Sequence, residues 1–200
     1  PELGYWQVQI RAIRIGSTEL PLCQRSTCRA VLDTGTSHLG APRKQLSELM
    51  QHLTVPTQPG AADCRLSSGP VVTLELQNIT LTLRPEDYMQ QEPFMRRGSL
   101  AGTQRPVCRP ALMPVNYEAP LGPNLFILGE PLLRRYYTVY DWDTQKVGFG
   151  LAQSAPAANK AQAHAPPDEE EVVLLLQVSL TLAPMPSPIL GAGGPAGLPL

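Results

Sequence analysis

The stretch that decides the fold is Asp33-Thr34-Gly35-Thr36-Ser37, which follows the apolar run Ala30-Val31-Leu32. An apolar run of this kind predicts a buried strand, and Asp33 comes directly after it. A carboxylate at the end of a buried strand is costly unless it is hydrogen-bonded or used in chemistry. Thr and Gly on its far side offer a hydroxyl and a backbone that tolerates close approach. Asp33 is therefore the first candidate for a functional residue.

Length and charge limit what the rest of the chain can be. The chain has 200 residues and a formal net charge of −1, with 16 Lys and Arg against 17 Asp and Glu. This length suits one ordinary domain with a tail, and the balanced charge gives no sign of nucleic-acid binding or of a basic membrane patch. Many of the 22 prolines fall late in the chain. We expect a globular part over residues 1–152 and an Ala/Pro-rich, then acidic, then apolar tail over 153–200.

The chain contains four cysteines, Cys23, Cys28, Cys64 and Cys108, and no Cys-x-x-Cys pair. A zinc ribbon is therefore disfavoured, and the sequence suggests neither a metal site nor a cofactor. An even number with one close pair favours two disulfides and a secretory compartment. The alternative is four free, buried thiols in a cytosolic protein.

Hydrophobic periodicity predicts mainly strands. Alternation over residues 4–10, extended by Ile13 and Ile15, indicates one half-buried strand, and residues 71–76 and 79–83 read as a hairpin. Leu46, Leu49, Met50 and Leu53 recur at helical spacing after Pro42. Further strands are predicted at 125–128, 136–141 and 146–151, whereas 54–70 and 90–123 read as irregular.

Several of these segments together resemble the second, C-terminal lobe of the pepsin-like aspartic proteases. The resemblance is carried by Gly-Tyr-Trp-Gln at residues 4–7, by Asp-Thr-Gly-Thr-Ser at 33–37, by the apolar run into Gly at 125–129, and by the strands at 136–141 and 146–149. It covers residues 1–152. It implies an all-β lobe of twisted, mostly antiparallel sheets with short helices. The composition of residues 153–200 predicts a poorly ordered tail after it.

The resemblance also implies a site and its chemistry. Asp33 is implied to be catalytic. The residues implied to support the active loop or bind substrate are Thr34, Gly35, Thr36, Ser37, Ile127 and Gly129. The implied disulfides are Cys23–Cys28 and Cys64–Cys108. The implied activity is hydrolysis of a polypeptide by water held between two carboxylates, one acting as base and the other as acid.

Only one Asp-Thr-Gly occurs in the chain. Asp141 falls in a predicted hairpin turn and Asp63 in a predicted loop, so neither is a credible second catalytic carboxylate. We expect the second to come from an N-terminal lobe of the same longer chain, or from a second copy in a homodimer. A lone lobe that binds peptides or a partner without catalysis is the other alternative. The isolated chain is expected to be inactive.

Some features depart from the family pattern or lie outside it. His38 replaces an apolar residue, which suggests either a pH-sensitive neighbour of the carboxylates or a partly exposed side chain, and Glu130 replaces an Asp. Asn78-Ile79-Thr80 is an N-glycosylation sequon at the predicted hairpin turn. Membrane contact through residues 172–190 is the less favoured interpretation, because prolines and glycines interrupt the apolar run. Extracellular and lysosomal or vacuolar locations both fit the resemblance.

Overall fold

The computed structural model describes residues 4–24, 26–58, 60, 62–97, 104–118, 121–152 and 174–177. Within these ranges, the strands in chain order are β1 (Gln7–Ile10), β2 (Ala12–Ile15), β3 (Thr18–Leu20), β4 (Cys28–Leu32), β5 (Leu39–Pro42), β6 (Val55–Pro56), β7 (Val72–Glu75), β8 (Thr80–Leu83), β9 (Phe94–Arg97), β10 (Gln104–Cys108), β11 (Leu112–Val115), β12 (Leu125–Leu128), β13 (Tyr136–Asp141), β14 (Lys146–Leu151) and β15 (Leu174–Gln177). The helices are α1 (Arg43–Leu53), α2 (Pro85–Tyr88) and α3 (Glu130–Leu133). The all-β class predicted from the sequence is confirmed.

The central sheet has five strands in the order β1-β4-β12-β5-β11. Strands β4 and β12 run parallel, with Ile127 opposite Val31, whereas β12 and β5 run antiparallel. Because β12 lies between β4 and β5, the loop that joins those two strands must cross the end of β12. Parallel neighbours end on the same side of a sheet, so Asp33 after β4 and Gly129 after β12 come together.

Strand β2 does not continue β1, as the alternation had suggested. The chain changes sheets at Arg11, whose main-chain N–H donates to the carbonyl of Glu75, and β2 joins a four-stranded sheet in the order β3-β2-β7-β8. The hairpin of β7 and β8 is confirmed, with Val72 and Leu74 buried on one face. A two-residue period is shared by both strands, so periodicity alone cannot show where one ends and the next begins.

Helix α1 forms where the apolar spacing predicted it. Leu49 and Leu53 are buried, and the helix packs against β5 and β11. It begins after Pro42, whose fixed φ suits a helix start. The helix therefore supports β5, the strand at which the loop after β4 ends.

The segment 90–123, predicted to be irregular, contains three strands. Strands β9 and β10 form a hairpin whose outer edge pairs with β6, and β6 itself lies in the supposed loop 54–70. Strand β11 pairs in parallel with β5. These segments alternate poorly because they are rich in Arg and Pro, and long-range pairing determines their conformation rather than local preference.

Two disulfides close loops in the lobe. Cys23 and Cys28 are bonded across a sequence separation of 5, and Cys64 and Cys108 across a separation of 44. Cys64 begins a single 3-10 turn, Cys64–Leu66, which the bond ties to the end of β10. None of the described cysteines is free.

The segment expected to be a poorly ordered tail is described only at Leu174–Gln177. These residues form β15, which pairs antiparallel with β14, so that β13, β14 and β15 make a three-stranded sheet. The acidic run 168–171 and the rest of the apolar stretch 172–190 lie outside the described residues. No helix in the described part of the chain is long and apolar enough to cross a membrane.

Candidate active site

Asp33 stands where β4 ends, and its main chain is held by the neighbouring strand. Its N–H donates to the carbonyl of Leu128 on β12 at 3.1 Å, and one residue earlier the N–H of Leu32 donates to the carbonyl of Trp6 at 3.0 Å. The residue therefore leaves the sheet from a backbone position bonded on both sides. Its side chain is half-buried and faces out of the core.

Both oxygens of the Asp33 carboxylate accept hydrogen bonds from its own loop. The Gly35 N–H donates to Oδ1 at 2.9 Å, and the Thr36 hydroxyl donates to Oδ2 at 2.6 Å. Hydrogen bonds to an ionised group are about twice as strong as neutral ones. The loop therefore holds the carboxylate in one orientation, and both donors belong to the loop itself.

The two residues that follow β12, Gly129 and Glu130, contact the backbone of the loop. Glu130 N–H donates to the carbonyl of Thr36 at 2.8 Å. A Cβ atom on Gly129 would lie 2.3 Å from that carbonyl oxygen and 2.4 Å from the carbonyl oxygen of His38. Only glycine fits at this position, because any side chain would push the loop away.

Ile127 on β12 packs against β5, the strand at which the loop ends. A Cβ atom on Gly40 of β5 would lie 2.7 Å from Cβ of Ile127 and 2.9 Å from Cγ1 of Val115. Strands β5 and β12 therefore approach closely only because residue 40 is a glycine. No local pattern in the sequence indicates this contact, because Gly40 and Ile127 are far apart in the chain.

Thr34 and Ser37 are exposed. Neither side chain donates or accepts a hydrogen bond in the part of the chain that the structure describes. The five residues of the loop thus divide into Asp33, Gly35 and Thr36, which bond to one another, and two residues that face outward.

Comparisons with known proteins agree on one family. The family model described as eukaryotic aspartyl protease matches residues 2–152. The chain belongs to this family. Rat renin is 32% identical over 154 residues, human cathepsin D 36% over 153, and mouse gastricsin 35% over 151. These matches cover 75%, 74% and 72% of this chain but 36%, 34% and 35% of the relatives, so the chain spans about a third of their length.

The other carboxylates considered from the sequence are occupied locally. Asp141 accepts from the main-chain N–H groups of Asp143 and Thr144, and the Thr144 hydroxyl donates to its Oδ2 at 2.6 Å. Asp63 accepts from the guanidinium and N–H of Arg65. These partners lower the pKa of both carboxyls below the usual value. Each of these carboxylates therefore stabilises its own turn.

An aromatic cluster of Trp6, Tyr140 and Trp142 flanks Asp33. The Trp6 ring centroid is 5.2 Å from that of Tyr140 and 4.9 Å from that of Trp142. Burial, and then the negative charge of Asp33, raise the pKa of Tyr140 above its ordinary value. Trp142 remains 62% exposed. The cluster that reaches Asp33 through Tyr140 therefore has one ring that faces solvent.

The two departures near the loop have local explanations. Glu130 contributes its main-chain N–H to the loop, while its exposed side chain contacts Arg134 at 3.4 Å. The longer carboxylate therefore makes no side-chain hydrogen bond to the loop among the described residues. His38 is half-buried, and its contribution near the site is the carbonyl that meets Gly129. No described group of His, Cys, Asp and Glu is placed to hold a metal ion.

Proposed function

We propose that this chain supplies one half of an aspartic endopeptidase site, in which Asp33 is one of two carboxylates that activate a water molecule. The observation that carries the proposal is the loop geometry in a member of the aspartyl protease family. Asp33 is oriented by Gly35 and Thr36. The loop is bonded at both ends to one neighbouring segment, through Leu128 at the end of β12 and through Glu130 at the start of α3. Such preorganisation places a carboxylate without requiring rearrangement during the reaction.

The chemistry requires a second carboxylate. Two carboxylates that share one proton repel each other, so one stays ionised and takes a proton from water while the other, protonated, donates to the peptide carbonyl. Water then adds to the carbonyl carbon, and the amide nitrogen leaves after it is protonated. Asp33 supplies one of these groups in either role, since the roles belong to the pair.

The substrate is a polypeptide in this proposal. Thr34 and Ser37 are exposed on the loop, so their side chains and the neighbouring main chain are accessible. Thr34 is assigned to the contact with the loop of the other lobe that carries the second carboxylate. Gly35, Thr36 and Ser37 are assigned to the substrate backbone. Ile127 and Gly129 are assigned to positioning the loop relative to β12.

The partner is the N-terminal lobe of a longer chain. Two observations support this choice: the chain spans about a third of the length of its relatives, and Trp142 of the aromatic cluster is 62% exposed. Tryptophan is enriched at protein interfaces. A second copy of the chain and a non-catalytic, peptide-binding lobe are the competing possibilities. The two disulfides support a secretory-pathway location, extracellular or lysosomal.

A chimera tests the proposal. Residues 2–152 replace the matching region of human cathepsin D, and cleavage of a fluorogenic peptide is measured at acid pH. We expect cleavage by the chimera, loss of it in Asp33→Asn, and no cleavage by the isolated chain at any concentration.

Each competing possibility gives a different result. Cleavage by the isolated chain that rises with the square of concentration and disappears in Asp33→Asn identifies a homodimer. A chimera that folds, binds pepstatin and does not cleave identifies a non-catalytic lobe.

A further inference from the structure

The β9–β10 hairpin carries arginines on the face that it turns toward α1. Arg96 and Arg105 are directly opposite each other in the antiparallel register, and Phe94 is opposite Val107. Alternation along each strand places these four residues on one face. Both guanidinium groups belong to exposed residues, and neither makes an ion pair or a side-chain hydrogen bond with any residue that the structure describes.

Like charges directly opposite each other destabilise a sheet. The hairpin thus carries a repulsive pair that no described carboxylate neutralises. Arg109 adds a third positive charge nearby. Its guanidinium carbon lies 3.8 Å from the centroid of the Phe94 ring, and its Nε donates to Gln90 Oε1 at 2.9 Å. Arg109 is therefore held in place by neutral groups, and no carboxylate among the described residues pairs with its charge.

A groove of about 440 Å³ separates this face from α1. We call it the arginine groove. Its hairpin wall contains Phe94, Arg96, Val107 and Arg109, and its helix wall contains Ser47, Met50, Gln51 and Thr54. Over the described residues, the lining combines positive charge with apolar surface and contains no acidic side chain.

We propose that the arginine groove binds an extended acidic peptide segment of another protein, in which consecutive carboxylates are followed by apolar side chains. The carboxylates pair with Arg96 and Arg109 of the lining and with Arg105, which lies opposite Arg96 on the same face of the hairpin, because guanidinium groups match carboxylates in shape and charge. The apolar side chains contact Met50 and Phe94. A ligand with charge alone would leave that apolar wall unused. This proposal is independent of the proposed function, since its test measures no catalysis.

The test uses the full chain and the labelled peptide Asp-Glu-Glu-Glu-Val-Val, whose sequence also occurs at residues 168–173. Binding is measured by fluorescence anisotropy at low salt. We expect saturable binding that weakens as salt is added, because the charges involved are exposed. The variant Arg96→Gln/Arg105→Gln should bind about tenfold more weakly. The control Arg11→Gln/Arg134→Gln, which removes the same charge elsewhere, should bind within about twofold of the original chain.

Weaker binding by Arg96→Gln/Arg105→Gln cannot be attributed to unfolding if its urea midpoint is unchanged or higher. We expect this result, because the substitutions remove a repulsive pair. Equal affinity of this variant and its control would overturn the proposal. So would equal affinity for the neutral peptide Asn-Gln-Gln-Gln-Val-Val.

Two further comparisons define the ligand. Met50→Ser, which leaves the Phe94 ring in place beside Arg109, should weaken binding of Asp-Glu-Glu-Glu-Val-Val about fivefold and leave Asp-Glu-Glu-Glu-Ser-Ser unaffected. An equal effect on both peptides rejects the peptide assignment in favour of a general anion patch. A chain with Asp168, Glu169, Glu170 and Glu171 changed to their amides should bind the probe as the original does. Much tighter binding by that chain would show that its own acidic run fills the groove, and would overturn the proposal of a separate partner.

Discussion

Gly129 lies against the carbonyl oxygen of Thr36, so closely that a Cβ atom on Gly129 would be 2.3 Å from that oxygen. The next residue, Glu130, donates its main-chain N–H to the same oxygen. The end of β12 and the loop of the candidate catalytic Asp33 are thus in direct backbone contact. This contact makes the apolar run into glycine and the Asp-Thr-Gly loop one structural unit.

Gly129→Ala should therefore disrupt the site. The new methyl group meets two main-chain oxygens, which cannot move as a flexible side chain would, and we expect a loss of about 3 kcal/mol in the free energy of unfolding. Urea unfolding measures the change. The control Gly4→Ala adds a methyl group in open space at a positive φ of 70°, and should cost about 1 kcal/mol. Similar losses in the two variants would show that the loop yields easily.

Thr36→Val should reduce catalysis in the cathepsin D chimera. The substitution keeps the shape of the side chain and removes the hydroxyl that donates to Oδ2 of Asp33. A hydrogen bond to a charged group contributes about 1.5–3 kcal/mol, which corresponds to a fall of about 10- to 100-fold in kcat. Thr36→Ser, which retains the hydroxyl, should keep most of the activity. A kcat that is the same in the Val and Ser variants would contradict the role of this hydroxyl.

The two disulfides should contribute unequally to stability. In the chain-entropy model, the bond with a sequence separation of 44 contributes about 4 kcal/mol and the one with a separation of 5 about 2 kcal/mol. The double variants Cys64→Ala/Cys108→Ala and Cys23→Ala/Cys28→Ala are compared by urea unfolding. We expect the first to be the less stable by about 2 kcal/mol. The reverse order would mean that the short loop near β4 matters through native contacts.

Tyr140 should report the charge of Asp33. Burial and then Asp33 raise the pKa of Tyr140 above the ordinary 10.0. Asp33→Asn should lower the pKa of Tyr140 but leave it above the ordinary value, because burial is the larger cause. The difference in tyrosinate absorbance between each chain and its Tyr140→Phe variant measures this pKa. Asp143→Asn is the matched control and should cause little change.

The same shift predicts a loss of stability in alkali. Between the unfolded and folded pKa values of Tyr140, the folded state binds more protons than the unfolded state. The free energy of unfolding therefore falls as pH rises from about 10 through the folded pKa. Tyr140→Phe should flatten this part of the curve. Burial also raises the pKa of Tyr88, so some alkaline dependence should remain in that variant.

Local sequence was sufficient for several parts of the molecule. Helix α1 and the β7–β8 hairpin carry strong periodicity, and β12 is a continuous apolar run. Both signals depend on residues close together in the chain. The loop after β4 was also identifiable, because a carboxylate beside a buried strand is costly unless it is hydrogen-bonded or functional. The loop, the apolar run of β12 and the strands β13 and β14 contributed to the family resemblance. Glycosylation of the exposed Asn78 remains a prediction.

Other parts depend on residues far apart in the chain. Strands β9 to β11 lack regular alternation and form because β6, β5 and each other offer pairing partners. The same pairing brings Arg96 opposite Arg105, and only β15's position beside β14 shows that part of the tail joins a sheet. Register between distant strands is a property of the folded chain, so no local pattern reveals it.

The sequence by itself determined that Asp33 ends a buried strand in a loop suited to hydrogen-bonding a carboxylate. It also determined that the chain contains no second Asp-Thr-Gly. Only the tertiary structure decided what holds that loop: β12 between β4 and β5, Gly129 under Thr36, and Tyr140 near Asp33. The physical reason is that a loop's composition specifies its own hydrogen bonds, whereas its support comes from backbone packing between segments almost a hundred residues apart.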